Sequence, residues 1–401
     1  MTTPTENRTD AELDALLRED PAAVLERERG LFDRLASPFE GSYVLFGAGE
    51  LGRRTAAGLR RLGIEPLAFS DNNRNLWGKD IDGLAVLPPD EAVRKFGLKA
   101  AFVVSIWSAA IGHPVEDIRR QLNGCGAARV ISFAFLYWKY SSTFLPYFSL
   151  DLPHKTTDQA AEILEAWSLW GDSYSKQEFL AQLRWRLQFD FSLCHHPIAG
   201  EQYFPHDLFS LLRDEVFVDG GAFDGDTVRQ FLRHALMGFS EIAAFEPDLA
   251  NFEKLGQYVL SLNEHVREKI VLHPLALGRH QGRACFEAAG TIQSAINTEG
   301  GSMIEVAALD DVLAGHKPTY MKLDIEGYEL EALAGARKTI SECCPVIGAS
   351  AYHYFDHLWK IPLFLSSLCD QYSFYLRPYA KPPWELICYA IPRSRLVKGQ
   401  V

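Results

Sequence analysis

VFVDGGAFDGDT, Val216 to Thr227, reads as a buried strand, a glycine turn and a helix start. IAAFEPD, Ile242 to Asp248, reads as a second buried strand closing on a carboxylate. Short apolar runs bounded by turn residues are typical of parallel strands buried on both faces. Two of them in succession, each leading into a helical pattern, predict a doubly wound α/β sheet. On such sheets ligands sit beyond the C-terminal strand ends, near the change of strand order.

The residues at those ends favour a nucleoside over a phosphate. Asp219 closes the first strand and is suited to receive an α-amino group, directly or through water. Gly220 and Gly221 follow, and with Ala222 they would form a floor that a ligand can approach closely. Asp224 or Thr227 would cap the next helix. Glu246 closes the second strand, where a carboxylate can accept both hydroxyls of a ribose, and Asp248 caps the helix after it. This crowd of carboxylates would repel a pyrophosphate, and the turn is not GxGxxG, so a nicotinamide dinucleotide fits it poorly. An amino group at one end and a ribose at the other describe S-adenosylmethionine. His273 and Leu275 would border the adenine, with a core or turn role for His273 equally open. Ser294 and Asn297 lie in a polar loop that could donate to the ligand.

Further strands are expected in KIVLHPLAL, TYMKLDIEG, CPVIGASAY, YSFYLRPY and ELICYAIP. The last two are divided only by AKPPW, too short for a crossover helix, so they should pair antiparallel. KLDIEG places Asp324 and Glu326 at the end of the fourth strand, on one side by strand alternation. His353 follows the fifth strand and is the candidate general base, because neutral imidazole is available near pH 7. Asp356 would cap the following helix or orient His353, while His357 reads as a surface or core residue. Asp324, Glu326 and His353 could hold a divalent ion, but no metal motif ties them together, and the weaker reading is a metal. Arg377 and Tyr379 could bind an acceptor or serve the structure. His195, His196 and His206 read as an ordered loop rather than a metal site, and Tyr203 and Phe204 as residues closing over a ligand.

The N-terminal half carries a second α/β pattern. Gly47, Gly49 and Gly52 form a GxGxxG between strand and helix, with Asp71 at the end of the next strand. In that context the glycines suggest a nucleotide or nucleotide-sugar seat, although such a unit can also persist purely for packing. The expected order is a helical leader over 1–40, a Rossmann-like domain over 41–132, an aromatic and helical bridge over 133–214, a catalytic domain over 215–392 and a tail over 393–401.

Composition narrows the partners. The chain has 401 residues, enough for two domains, and 47% of them are hydrophobic, enough for two cores. A net charge of -12 disfavours nucleic acid and anionic membranes as general partners. The N-terminus is polar and acidic, unlike a signal peptide or spanning helix. The seven cysteines lack CxxC spacing and read as mostly buried thiols of a reducing, cytoplasmic protein. A homo-oligomer is compatible with all of this.

The C-terminal half resembles the FkbM-family methyltransferases in VDGGAFDGDT (218–227), FEPD (245–248), HPLALG (273–278), ALDDVL (308–313) and KLDIEGYELEALAGA (322–336). The resemblance implies a class I methyltransferase sheet of seven strands ending in an antiparallel hairpin, with Asp219 and Gly221 on the methionine side and Glu246 on the ribose side. It also implies O-methylation of sugars or secondary metabolites. The fifth-strand ending ASAYHYFDHLW departs from the glutamate-centred form of many members and leaves the acceptor open: a carbohydrate, a nucleotide-linked sugar or another small molecule. The competing expectation is a non-enzymatic nucleotide- or sugar-binding protein on a degenerate fold.

Overall fold

The computed structural model describes residues 4–107, 114–286 and 302–397. By contacts the chain divides into two compact units, 1–159 with 182–192, and 160–181 with 193–401. The loop carrying Ser294 and Asn297 lies outside the described residues.

The first unit holds a six-stranded sheet of β1 (Tyr43–Phe46), β2 (Ala68–Ser70), β3 (Asp80–Ile81), β4 (Leu84–Leu87), β5 (Ala101–Val104) and β6 (Val130–Ser132), ordered β3-β4-β2-β1-β5-β6. All pairs except β3–β4 are parallel. Strands β1 and β5 are buried throughout, as the apolar runs require. The leader forms two helices, Pro4–Leu17 and Pro21–Ala36.

The aromatic segment after β6 contributes to the core of the first unit. Ser132 caps the helix Phe133–Lys139 by accepting from the amide of Ala134, and Phe133, Tyr137 and Trp138 are buried in the first unit's own core. Tyr137 stacks on Phe144 with centroids 4.3 Å apart.

The second unit contains a seven-stranded sheet of β7 (Val216–Gly220), β8 (Glu241–Phe245), β9 (Ile270–His273), β13 (Tyr320–Leu323), β14 (Val346–Ser350), β15 (Tyr372–Pro378) and β16 (Leu386–Pro392), ordered β15-β16-β14-β13-β7-β8-β9. Between them in the chain, β10 (Ala276–Leu277), β11 (Gly282–Phe286) and β12 (Ser302–Ala307) make a separate small sheet. The order reverses between β7 and β13, whose ends therefore flank a natural crevice. KIVLHPLAL is two strands rather than one, because Pro274 has no N–H for a ladder and ends β9.

The terminal hairpin pairs antiparallel from Tyr372↔Pro392 to Pro378↔Leu386, but β16 inserts between β14 and β15. Phe217 on β7 is fully buried and stacks on Phe231 at 4.6 Å, fastening the helix Asp226–His234 to the sheet. Such a ring pair adds about 0.5–1.5 kcal/mol beyond its area.

The cysteine expectation needs correction. Cys344 and Cys369 form a disulfide, and of the remaining five only Cys388 is buried, with Cys125 exposed. Cys344 caps the helix Arg337–Cys343 and Cys369 follows the helix His357–Ser366, positions that scattered spacing in the sequence does not bring together. Among the described residues no helix is long and apolar enough to cross a membrane.

Candidate active site

A cavity of about 390 Å³ opens beyond the ends of β7, β8 and β13. Gly221 makes the turn after β7 with φ +78, and a Cβ there would lie 2.0 Å from the carbonyl oxygen of Asp324. The amides of Gly221 and Ala222 both donate to the carbonyl of Phe245, at 3.0 and 2.9 Å. The turn after Gly220 is thus tied to the end of β8, and its glycine is required by the neighbouring backbone.

Glu246 lines this cavity. Its Oε2 accepts from the amide of Phe223 at 2.8 Å and its Oε1 from the amide of Asp248 at 2.9 Å. A carboxylate offers about four acceptor positions, so each oxygen keeps capacity for a ligand hydroxyl. Burial pushes its pKa up, with the two amides acting the other way. Asp226, Thr227 and Phe223 line the same end, and Leu275, Ile304 and Val306 supply apolar wall.

Asp219 has a different environment from the one its position suggests. It is completely buried and is not among the residues lining the cavity. In the parallel register it faces Lys322 of β13, whose Nζ lies 3.0 Å from Asp219 Oδ1. Lys322 also donates to the carbonyl of Gly221. Burial lifts the Asp219 carboxyl to about 6, with Lys322 pulling the other way. The pair braces the turn from beneath.

Other expectations shift in detail. Neither Asp224 nor Thr227 caps the helix Asp226–His234: the cap is Gly225 in the left-handed region, without a side-chain bond. Asp224 instead pairs with Arg229. Asp248 does cap its helix, accepting from Asn251. His273 stacks on Phe245 at 4.6 Å and is pushed down in pKa by burial, while Leu275 reaches the cavity. Arg377 is buried against Asp172, 2.6 Å away, and the half-buried His195 lies 2.7 Å from Glu178. Tyr203 lines the cavity, its hydroxyl 3.0 Å from Ser350 Oγ.

At the opposite rim stand Asp324, Glu326 and Glu385. Glu326 lies beyond the end of β13 with φ 55, so a turn, not strand alternation, aims it. Behind the rim His353 is buried, with Nδ1 2.8 Å from Glu329 Oε1. Its Nε2 lies 3.7 Å from Asp324 Oδ1 and 3.6 Å from Glu326 Oε2. Glu329 is itself fully buried and also approached by His357 Nδ1 at 3.2 Å. Asp356 does not orient His353, for its carboxylate pairs with Lys360.

These surroundings overturn the picture of a neutral imidazole. Burial alone would push His353 down, but Glu329, Asp324 and Glu326 outweigh it and lift it to about 9. His353 and His357 in turn hold Glu329 well below the usual carboxylate range despite its burial. An imidazolium at neutral pH has no lone pair with which to act as a base.

A raised folded-state histidine stabilises fully below its unfolded pKa and loses that contribution as pH climbs through the folded value. Stability in a chelating buffer is therefore expected to fall between roughly pH 6.5 and about 9. Denaturant midpoints across that range check it, and His353→Gln should flatten the decline.

Sequence reasoning missed Lys322, Glu329 and Glu385. A lysine inside the apolar run of β13 was the available signal for the first.

In the first unit, Gly47 turns out of β1 with φ +112, and a Cβ at Gly52 would lie 1.9 Å from the Gly47 carbonyl oxygen. Gly49 starts the helix Glu50–Arg61 without a side-chain cap. Asp71 Oδ2 accepts from the amide of Ala48 at 2.8 Å and Oδ1 from Asn73 at 2.7 Å, so this carboxylate closes the glycine loop.

Residues 219–371 match the model of the methyltransferase FkbM domain. Methyltransferase FkbM from Methylobacillus flagellatus KT is similar in structure, with a TM-score of 0.78 at 21% identity, over 97% of this chain and 99% of that one. Precorrin-6y C5,15-methyltransferase from Geobacter metallireducens GS-15 overlays on 45% of this chain and 82% of its own, with a TM-score of 0.28 at 15% identity. UDP-D-quinovosamine 4-dehydrogenase from Vibrio fischeri covers 23% of this chain and 75% of its own, with a TM-score of 0.19 at 20% identity. The last two overlays are too loose to bear on function. No curated protein matches the chain. The seven-stranded order, the cavity at its reversal point and the matched region agree: the second unit carries an S-adenosylmethionine-dependent methyltransferase domain similar to the FkbM domain.

Proposed function

We propose that the protein transfers a methyl group from S-adenosylmethionine to a hydroxyl of a carbohydrate, a nucleotide-linked sugar or a secondary metabolite. The observation that carries this reading is a single cavity with Glu246 at one end and the carboxylates of Asp324, Glu326 and Glu385 at the other. Glu246 has acceptor capacity for ribose hydroxyls, and the cavity is of ordinary size for a ligand pocket. When bound, the cofactor supplies an electrophilic methyl group. The chain's part is to align an acceptor oxygen and take its proton. A rim of carboxylates suits an acceptor rich in hydroxyl donors. With His353 protonated, the base role passes to a carboxylate, and Glu385 is best fitted, since burial and the neighbouring Asp324 push its pKa up.

The first unit's glycine turn, with an uncapped helix start at Gly49, is suited to a nucleotide, which would make a nucleotide-linked sugar the acceptor class to test first. Incubation of the full chain with labelled S-adenosylmethionine and panels of free sugars, nucleotide sugars and aliphatic or phenolic alcohols tests the reading. Label transferred to oxygen is the expected result. Transfer only to nitrogen or carboxylate acceptors, or no transfer by protein shown to hold the cofactor, would overturn it.

A further inference from the structure

The imidazole of His353 presents an unusual geometry. Its Nδ1 is committed to Glu329 Oε1 at 2.8 Å, and Glu329 is pinned by complete burial and by His357. That bond fixes the direction of the other ring nitrogen. Nε2 is buried and makes no hydrogen bond. It aims between Asp324 Oδ1 at 3.7 Å and Glu326 Oε2 at 3.6 Å, too far for hydrogen bonds. Asp324 Oδ1 is held in place by Ser350 Oγ at 2.8 Å, so it cannot simply close the gap.

We propose that His353 Nε2, Asp324 Oδ1 and Glu326 Oε2 bind one divalent cation of the manganese or magnesium type. Two ligand atoms each about 2.1–2.2 Å from a shared ion and separated by 3.6–3.7 Å subtend an open angle at that ion. Each carboxylate oxygen is therefore too far from Nε2 for direct bonding yet close enough to share an ion with it. A carboxylate oriented on the far nitrogen of a ligating histidine is the usual support for such a ligand, and Glu329 provides it. Two carboxylates with one imidazole, whose Nε2 gives up its proton as the ion binds, form a hard donor set that favours these ions over soft-ligand metals. Glu326 keeps its left-handed backbone at φ 55 to stand at this rim, a strained conformation of the sort found at ligand sites.

Asp324 and Glu326 line the cavity, so the remaining coordination positions open into it. An acceptor hydroxyl bound there would become more acidic, leaving Glu385 to take its proton. That last step rests on the methyl-transfer reading; the ion site does not.

The full chain, stripped with chelator and titrated with manganese(II) alone, separates the two. Free-ion electron paramagnetic resonance should count one site per chain, and pulsed spectra should show coupling to an imidazole nitrogen. Asp324→Asn, near-isosteric, should weaken binding by about 10–100-fold or more, and His353→Gln should abolish the nitrogen coupling. Glu241→Gln, at an exposed pair with His316, should change neither. No stoichiometric binding, binding without nitrogen coupling, or binding indifferent to Asp324→Asn would each overturn the site. None of these readouts uses cofactor or acceptor, so failure of methyl transfer leaves the result intact.

Discussion

Lys322→Met is expected to lower global stability by about 3–5 kcal/mol, because it removes one partner of a buried ion pair and leaves the other charge uncompensated. Asp219 is fully buried, and Lys322 has almost no exposed side-chain surface, 2%. Methionine keeps the length and the apolar stem, so lost packing is a minor part of the change. The aspartate can escape by taking a proton, since burial already lifts it to about 6. The variant should accordingly lose less at pH 5 than at pH 8. Urea denaturation at both values measures the difference, and Asp219→Asn in the Lys322→Met background should recover much of the loss. Equal destabilisation at both pH values, without recovery, would show that the pair carries no charge dependence.

Glu246→Ala has the second large expected effect, this time on ligand binding. Hydrogen bonds to charged groups contribute about 1.5–3 kcal/mol each, so losing the partner of even one ribose hydroxyl predicts roughly a 10–100-fold weaker Kd for S-adenosylhomocysteine. The same substitution also frees the amides of Phe223 and Asp248, which Glu246 now holds together. Glu246→Gln separates the causes. It keeps one acceptor oxygen for an amide but loses the charge and half the acceptor capacity, so it should bind with intermediate affinity. Calorimetry on folded variants reads this directly, and an unchanged Kd for Glu246→Ala would remove the residue from the cofactor seat.

The sheet was legible wherever a strand is apolar on both faces. VFVDG, EIAAF and VIGAS stand out as such runs. Where β16 goes was not legible: a short connection fixes the hairpin, yet whether its second strand joins β14 depends on pairing partners far away in sequence. The cavity-lining carboxylates Glu246, Asp324 and Glu326 were visible because each interrupts apolar chain at a strand end. The state of Asp219 was not, since its partner is 103 positions away and is found only through the β7–β13 register. The charge on His353 was hidden for the same reason. It depends on Glu329, Asp324 and Glu326, which precede the histidine by most of a βα unit.

The lining of the cavity comes from chain segments with unequal freedom to diverge. Its Glu246 end is made from strand termini and a turn whose glycine has no spare volume. Its opposite rim borrows Gln202 and Tyr203 from an upstream loop and Glu385 from the turn between the last two strands. Loops of that kind tolerate exchange and insertion far better than strand ends do. Descendants of this chain could therefore change what they modify by rewriting two short segments, while inheriting the methyl-donor half unaltered.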